Sequence, residues 1–172
     1  MNSVIQIHQA NKNLLDDWWG RALQDKTVWP FLSFDQDASP FNVKDGHDWS
    51  QVFFMDASCS GVLHVDFQRS RANHDANLSI WVLDVPRKKM IAGRLLTHIP
   101  TIVKKYGISY LSAACHSSNH DSFNLMRRKM GNPAGRFAER GWNGLSGKFE
   151  DTISFWLKAS EWETRKKGQE AK

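Results

Sequence analysis

Cysteine is scarce in this chain: Cys59 and Cys115 are the only two among 172 residues. Two thiols cannot build a disulfide framework, so a reducing, cytoplasmic setting is expected. Long apolar runs are missing as well. No stretch reaches the roughly 18 residues that a membrane-spanning helix needs, and no membrane partner is expected. The opening MNSVIQIHQANKNLL lacks the basic start and apolar core of a secretory signal. No internal repeat or change of composition divides the chain. One domain over residues 1–163 is expected, followed by a short charged tail over 164–172. Neither sign of charge dominates: 23 Lys and Arg face 18 Asp and Glu, a net charge of +5. That balance permits nucleic acid, but a site for a small polyanion produces the same bias. A hydrophobic fraction of 41% and a charged fraction of 24% describe a globular chain with a sizeable core. Eight tryptophans are many for this length, and most are expected in that core.

The most informative stretch is NLSIWVLDVPRKKMIAGRLLTHIPTIVKKYG, residues 77–107. Ile80, Trp81, Val82 and Leu83 suit a pleated strand, and Pro86 ends it because proline cannot donate to a ladder. Arg87, Lys88 and Lys89 follow at once. Met90, Ile91, Leu95, Leu96, Ile99, Ile102 and Val103 then recur in steps of three and four, which marks one buried helix face. Pro100 predicts either a kink or two shorter helices, and Gly107 a C-cap. A helix opening just past a strand aims free N–H groups and its positive dipole end outward. Cations beside that end make an anion site suited to phosphate. An ordinary strand–helix unit with a solvated charged turn is the plain alternative.

Around this unit the order of elements is legible. Val4–His8 reads as an edge strand. Asn11–Leu23 reads as a helix with Leu14, Leu15, Trp18, Trp19, Ala22 and Leu23 on one side and Asn11 as cap. Trp49–Ala57 and Gly61–Arg69 form a hairpin across Ser58-Cys59-Ser60. In its second strand Leu63, Val65 and Phe67 alternate with His64, Asp66 and Gln68, one apolar face and one polar row. Ile108–Cys115 is a strand parallel to Asn77–Leu83. Ser117–Met130 is a helix with Phe123, Leu125, Met126 and Met130 inward. Arg136–Trp142 and Asp151–Leu157 close the chain as a hairpin. Between Asp25 and Asp48 the pattern fades, but Trp29, Phe31, Leu32, Phe34 and Phe41 are too apolar for a free linker.

At this point the chain resembles the GNAT superfamily of acyl-CoA N-acyltransferases, and within it the ribosomal-protein N-terminal acetyltransferase type. IWVLDVPRKKMIAGRLL resembles the family's strand and its pyrophosphate loop of the form Gln/Arg-x-x-Gly-x-Gly/Ala, matched by Arg87 and Ala92. CHSSNHDSFNLMRRKMG resembles its Asn-x-x-Ser/Ala helix, matched by Asn119 and Ser122. ERGWNGLSGKFEDTISFWLKASEW resembles its closing hairpin. The likeness covers Asn77–Trp162 by motif and the first half by element order. Met90 stands where the family's loop has a central glycine. Met126 stands where many members have a tyrosine acid, and a thioether donates no proton.

The resemblance implies an α/β (α+β) single domain: a mixed, mostly antiparallel sheet, one splayed parallel strand pair and helices on both faces. It implies acetyl-CoA as acyl donor and direct transfer to an amine acceptor, which would be a protein N-terminus, a small molecule or an amino sugar. Backbone groups of Trp81, Val82 and Leu83 would meet the pantetheine arm, and Asn119 would orient it. N–H groups over Lys88, Lys89, Met90, Ile91, Ala92 and Gly93 would hold the pyrophosphate, with Arg87, Lys88, Lys89 and Arg94 as cations, and Ser122 would join Asn119 among the cofactor-binding residues.

The base has no motif. His64 with Asp66 on the polar row, and His116 past the end of a parallel strand, are the candidates. Ser117 or Ser118 would relay the proton that Met126 cannot. A solvated polar row and a helix-capping loop histidine are the plain alternatives. Cys115 reads as a small buried hydrophobe. His116 and His120 stand four apart without a third ligand, so no metal is expected. Two other functions compete: a catalytically degenerate binding or inhibitory module of the same fold, and nucleic-acid binding through Arg127, Arg128, Lys129, Arg136 and Arg140. The second is less favoured, since a solvated basic face explains those residues. A monomer or a homodimer fits the sequence equally.

Overall fold

The computed structural model describes residues 4–7, 12–31, 51–67, 74–86 and 88–162. Seven strands make one sheet: β1 (Val4–Ile7), β2 (Gln51–Asp56), β3 (Gly61–Phe67), β4 (Asp75–Val82), β5 (Tyr110–His116), β6 (Gly135–Asn143) and β7 (Lys148–Lys158). Their spatial order is β1-β2-β3-β4-β5-β7-β6. Every neighbouring pair is antiparallel except β4 and β5. Among the described residues the helices are α1 (Lys12–Gln24), α2 (Lys88–Leu96), α3 (Ile99–Tyr106) and α4 (His120–Met130), with a 3-10 turn at Trp29–Phe31. This is the mixed, mostly antiparallel sheet expected from the sequence.

Two apolar layers cover the two faces, because strand side chains alternate. On one face α1 lays Leu15, Trp18, Trp19 and Ala22 on Phe53, Met55 and Val62. On the other, α2, α3 and α4 pack Ile91, Leu95, Ile99, Ile102, Met126 and Met130 onto Leu63, Val65, Leu78, Leu111 and Phe155. Trp18 is wholly buried, and its replacement by Ala would cost about 3–5 kcal/mol.

Pro100 separates two helices rather than kinking one: α2 stops at Leu96, and the proline occupies the first turn of α3, where its missing N–H costs nothing. Gly107 caps α3 in the left-handed region at φ 65°, its N–H donating to Val103 O. Met90 corrects the expected periodicity. It stands 40% exposed, while Ile91, Ala92, Leu95 and Leu96 carry the buried stripe. Asn119 caps α4 by accepting from Ser122 N at 3.1 Å. Asn11, Gln68, Phe34, Phe41 and the tail lie outside the described residues.

Candidate active site

The parallel pair β4–β5 is joined over three positions only: Asp75 opposite Tyr110, Ala76 opposite Leu111, and Asn77 opposite Ser112. Beyond Ser112 the strands follow different partners. β4 stays paired with β3 as far as Gly61 opposite Val82. β5 stays paired with β7 as far as His116 opposite Thr152. Leu78–Val82 and 113–116 therefore border a wedge-shaped gap in the middle of the sheet. Asn77 Nδ2 donates to Ser112 Oγ at 3.2 Å at its apex.

Backbone groups on the β4 side of this gap are polar and directed. Leu83 N–H donates to Ser60 O at 2.8 Å, toward β3, while His74 O accepts from Ser109 N, toward β5. Strand alternation then turns the backbone of Trp81, like that of Leu83, toward β3, and that of Leu78, Ile80 and Val82 toward the gap. Of the three residues expected to meet a pantetheine arm, Val82 offers its amide and carbonyl.

At the open end of the gap the chain enters α2. Lys88 N donates to Val85 O at 3.1 Å, and Lys88 Nζ donates to Thr27 Oγ1 at 2.9 Å. Lys89 and Met90 are exposed in the first turn, where helix amides lack intrahelical acceptors. Ile91 and Ala92 face the core, and Gly93 and Arg94 are half-buried. A Cβ on Gly93 would meet nothing within 4 Å. Arg87 lies outside the described residues.

On the β5 side, His116 ends the strand and is 5% exposed. Its Nδ1 lies 4.0 Å from Glu150 Oε2 and is buried without a hydrogen-bond partner. Glu150 in turn accepts from Asn143 Nδ2 at 2.7 Å and from the Ser118 hydroxyl. Asn143 Oδ1 accepts the backbone N–H groups of Leu145 and Ser146 at 2.9 and 3.2 Å, tying the set to the β6–β7 turn. Phe31 covers the imidazole edge-on, with ring centroids 5.6 Å apart. Gly141 lies beside it with no room for a Cβ, in a strand that bulges between Phe137 and Gly141. Burial pushes the His116 pKa below its ordinary value, and the Glu150 charge opposes that. The Ser118 hydroxyl, with help from Asn143 and His116, holds the Glu150 carboxyl below the usual range. A neutral imidazole beside a fixed carboxylate can take up a proton.

The other candidate base sits elsewhere. His64 lies on β3 between two rings, 4.7 Å from Phe53 and 5.5 Å from Trp81, both stacked. Burial pushes its pKa down to about 4, and its Nε2 has no hydrogen-bond partner. That is the environment of an aromatic core residue, and β4 separates it from His116. Asp66 is half-buried further along β3. Ser117 donates its N–H to Asp151 O at 2.9 Å; the hydroxyl on Glu150 is that of Ser118. His120 opens α4 while His116 closes β5, so the pair does not share one helical turn. No group of three or more His, Cys, Asp and Glu suited to a metal occurs among the described residues. Burial raises the Cys115 thiol to about 11, against a hydrogen bond with Ser122, which leaves it unreactive near neutral pH. Met126 is 4% exposed within the core.

Glu150, Asn143 and Gly141 escaped the sequence reading as site residues, whereas Phe31 belongs to the apolar segment that the sequence marked as no free linker. The alternation of Glu150, Thr152 and Ser154 with Asp151, Ile153 and Phe155 was the signal that one face of β7 is polar.

No family model matches this chain, and no curated protein sequence matches it. Solved structures do match in fold. The ribosomal-protein-S5-alanine acetyltransferase from Vibrio fischeri is 14% identical with a TM-score of 0.73, covering 94% of this chain and 94% of that one. A probable acetyltransferase (GNAT family) from Chromobacterium violaceum is 17% identical with a TM-score of 0.70, covering 94% and 90%. The ribosomal-protein-S18-alanine N-acetyltransferase from Escherichia coli is 17% identical with a TM-score of 0.65, covering 92% and 94%. The chain therefore has the GNAT fold. No helix among the described residues is long and apolar enough to cross a membrane.

Proposed function

We propose that this chain is an acyl-CoA-dependent N-acetyltransferase that moves an acetyl group from acetyl-CoA to a primary amine by direct transfer in a ternary complex. The observation that carries the reading is the gap that opens beyond Asn77 and Ser112. It leaves strand backbone unpaired by any neighbouring strand in the sheet centre, where a ligand with amide groups can take the missing strand's place. Val82 would bond the pantetheine arm. The first turn of α2, with Lys88, Lys89 and Arg94, would hold the diphosphate, and Arg87 would add a cation. The acceptor amine would be that of a protein N-terminus, a small molecule or an amino sugar; two of the fold neighbours bear names of ribosomal-protein alanine acetyltransferases.

His116 is the base in this reading. An attacking ammonium must lose a proton to become nucleophilic, and a buried neutral imidazole at the end of β5 can receive it. Glu150 stabilises the imidazolium that forms. The amine nitrogen attacks the thioester carbonyl, the C–S bond breaks, and the departing thiolate needs a proton. Met126 cannot give one. The Ser118 hydroxyl donates to Glu150, the same carboxylate that lies 4.0 Å from the base, and would relay that proton, with Ser117 as its neighbour.

Calorimetric titration with acetyl-CoA, followed by thiol release on a panel of alanine-terminated peptides, small amines and amino sugars, tests the assignment. Saturable binding with amine-dependent thiol release is expected; no binding at millimolar acetyl-CoA overturns it. One observation favours a second reading, a non-catalytic module of the same fold: the thioether of Met126 is packed in the core and supplies no proton donor at that position of its helix. That module would bind acetyl-CoA or a macromolecule and release no thiol with any amine.

A further inference from the structure

Asp25 follows α1 and reaches across to the loop that enters α2. Its Oδ2 accepts the backbone N–H of Asp84 at 2.6 Å. Its Oδ1 accepts both the N–H and the hydroxyl of Thr27, each at 2.8 Å. Thr27 Oγ1 in turn accepts from Lys88 Nζ at 2.9 Å. One carboxylate thus ties the turn after α1 to both ends of the 84–88 segment, 59 residues further along the chain. Among the described residues, the other backbone hydrogen bonds at this segment run from Leu83 N to Ser60 O, just ahead of β3, from Val85 N to Leu83 O and from Lys88 N to Val85 O.

We propose that Asp25 is a positioning residue for the acyl-donor site, holding the β4–α2 loop so that the first-turn amides of α2 and the Lys88 ammonium converge on one diphosphate. The inference rests on the acetyl-CoA reading above. The physical need is plain. A loop carrying Pro86 has few amides to anchor it, and its orientation sets where the N–H groups of Lys89 and Met90 point. Charge-assisted hydrogen bonds from backbone N–H to a carboxylate are about twice as strong as neutral ones, and an acceptor on a separate element fixes direction as well as energy. Asp25 keeps its charge. Partial burial works to raise its pKa, but the hydrogen bonds from Asp84 and Thr27 and the nearby Lys88 outweigh that and lower it. Lys88 gains from the same arrangement, since a long side chain parked on Thr27 loses less freedom when it turns to a phosphate.

The test is calorimetric titration of CoA into the wild-type chain, Asp25→Ala and Asp25→Asn, well below each melting temperature. Asp25→Ala is expected to weaken CoA by about tenfold. Asp25→Asn, which keeps one acceptor oxygen for Asp84, falls between the two. In steady-state assays with whichever amine the panel yields, KM for acetyl-CoA rises while KM for the amine and kcat stay within about twofold. Asp25→Ala/Thr27→Val is no weaker than Asp25→Ala alone, because both groups belong to one brace. A merely stabilising role would lower the melting temperature and leave the dissociation constant of the folded protein unchanged. That result overturns the inference and leaves the acetyl-CoA reading standing. Absence of CoA binding by the wild-type chain overturns both.

Discussion

His116 Nδ1 and Glu150 Oε2 lie 4.0 Å apart across the β5–β7 seam, with Phe31 edge-on to the imidazole. The carboxylate is held by two donors on other elements, Ser118 and Asn143, so its position does not depend on the imidazole it faces. An imidazole that works as a base must be deprotonated in the resting enzyme, and kcat/KM then falls below its pKa. Burial pushes that pKa down and Glu150 pulls it up. Glu150→Gln removes the upward pull, so the acid limb of the kcat/KM profile should move to lower pH. His116→Gln should lose about 10²–10³ in kcat with CoA affinity kept. A Glu150→Gln profile identical to wild type would remove the dyad from the chemistry.

Gly141 tests the same group through packing. A Cβ there would lie 2.8 Å from His116 Cε1 and 3.1 Å from His116 Nδ1, with Thr152 Oγ1 at 3.0 Å. The backbone of β6 is fixed at that point by the pairing of Gly141 with Glu150, so the ring has to move. Gly141→Ala should cut kcat at least about tenfold, since small misplacements of a reacting group are costly. The stability loss should stay in the range of about 1–3 kcal/mol that overpacking brings. Kinetics beside urea unfolding separates the two; wild-type kcat would show that the His116 ring position is immaterial.

His64 should make the fold, rather than the reaction, sensitive to acid. Its folded pKa is pushed down to about 4 by burial, whereas an unfolded histidine titrates near 6.5. Between those values the unfolded chain holds more protons than the folded one, so stability falls as pH drops from about 6.5 to about 4. The full difference amounts to about 3 kcal/mol at most. His64→Phe replaces one ring of the Phe53–His64–Trp81 stack by another and removes the titration. Urea midpoints followed by tryptophan fluorescence at pH 7 and pH 4.5 should drop less for the variant than for wild type. Equal drops would mean that the imidazole is protonated without cost where it stands.

The architecture was legible because its signals are local. Steps of three and four placed α1 and α4, Pro86 and Pro100 placed breaks, and Gly107 placed a cap, each from one side chain's geometry. Met90 was misplaced on the buried face for a physical reason: one residue is a step of about 100° around a helix, so Met90 shares its face with Arg94, four positions on, while Ile91 and Leu95 carry the buried stripe. The gap was expected only through the family resemblance, because divergence of two strands depends on which partners each keeps. The base site was half legible. His116 stood out by its place after a parallel strand, but Glu150 is 34 positions further on in a run of mixed charges. Nothing in local periodicity says that a bulge and an Asn143-capped turn bring it back to β5.

Met126 is the residue on which catalysis and packing make opposite forecasts. It is 4% exposed and packed in the same core cluster as Cys115, Phe155 and Met130. If it serves the core alone, Met126→Leu conserves volume and should cost less than about 1.5 kcal/mol. Met126→Ala opens a cavity and should cost about 2–4 kcal/mol. Thiol release per folded molecule should then be unchanged in Met126→Leu, because in the proposed mechanism the proton for the leaving thiolate comes from Ser118. Measuring unfolding midpoints and kcat on the same preparations decides it. A Met126→Leu protein that folds with wild-type stability yet loses more than about tenfold in kcat would place the thioether against the reacting atoms and displace Ser118 from its assigned role.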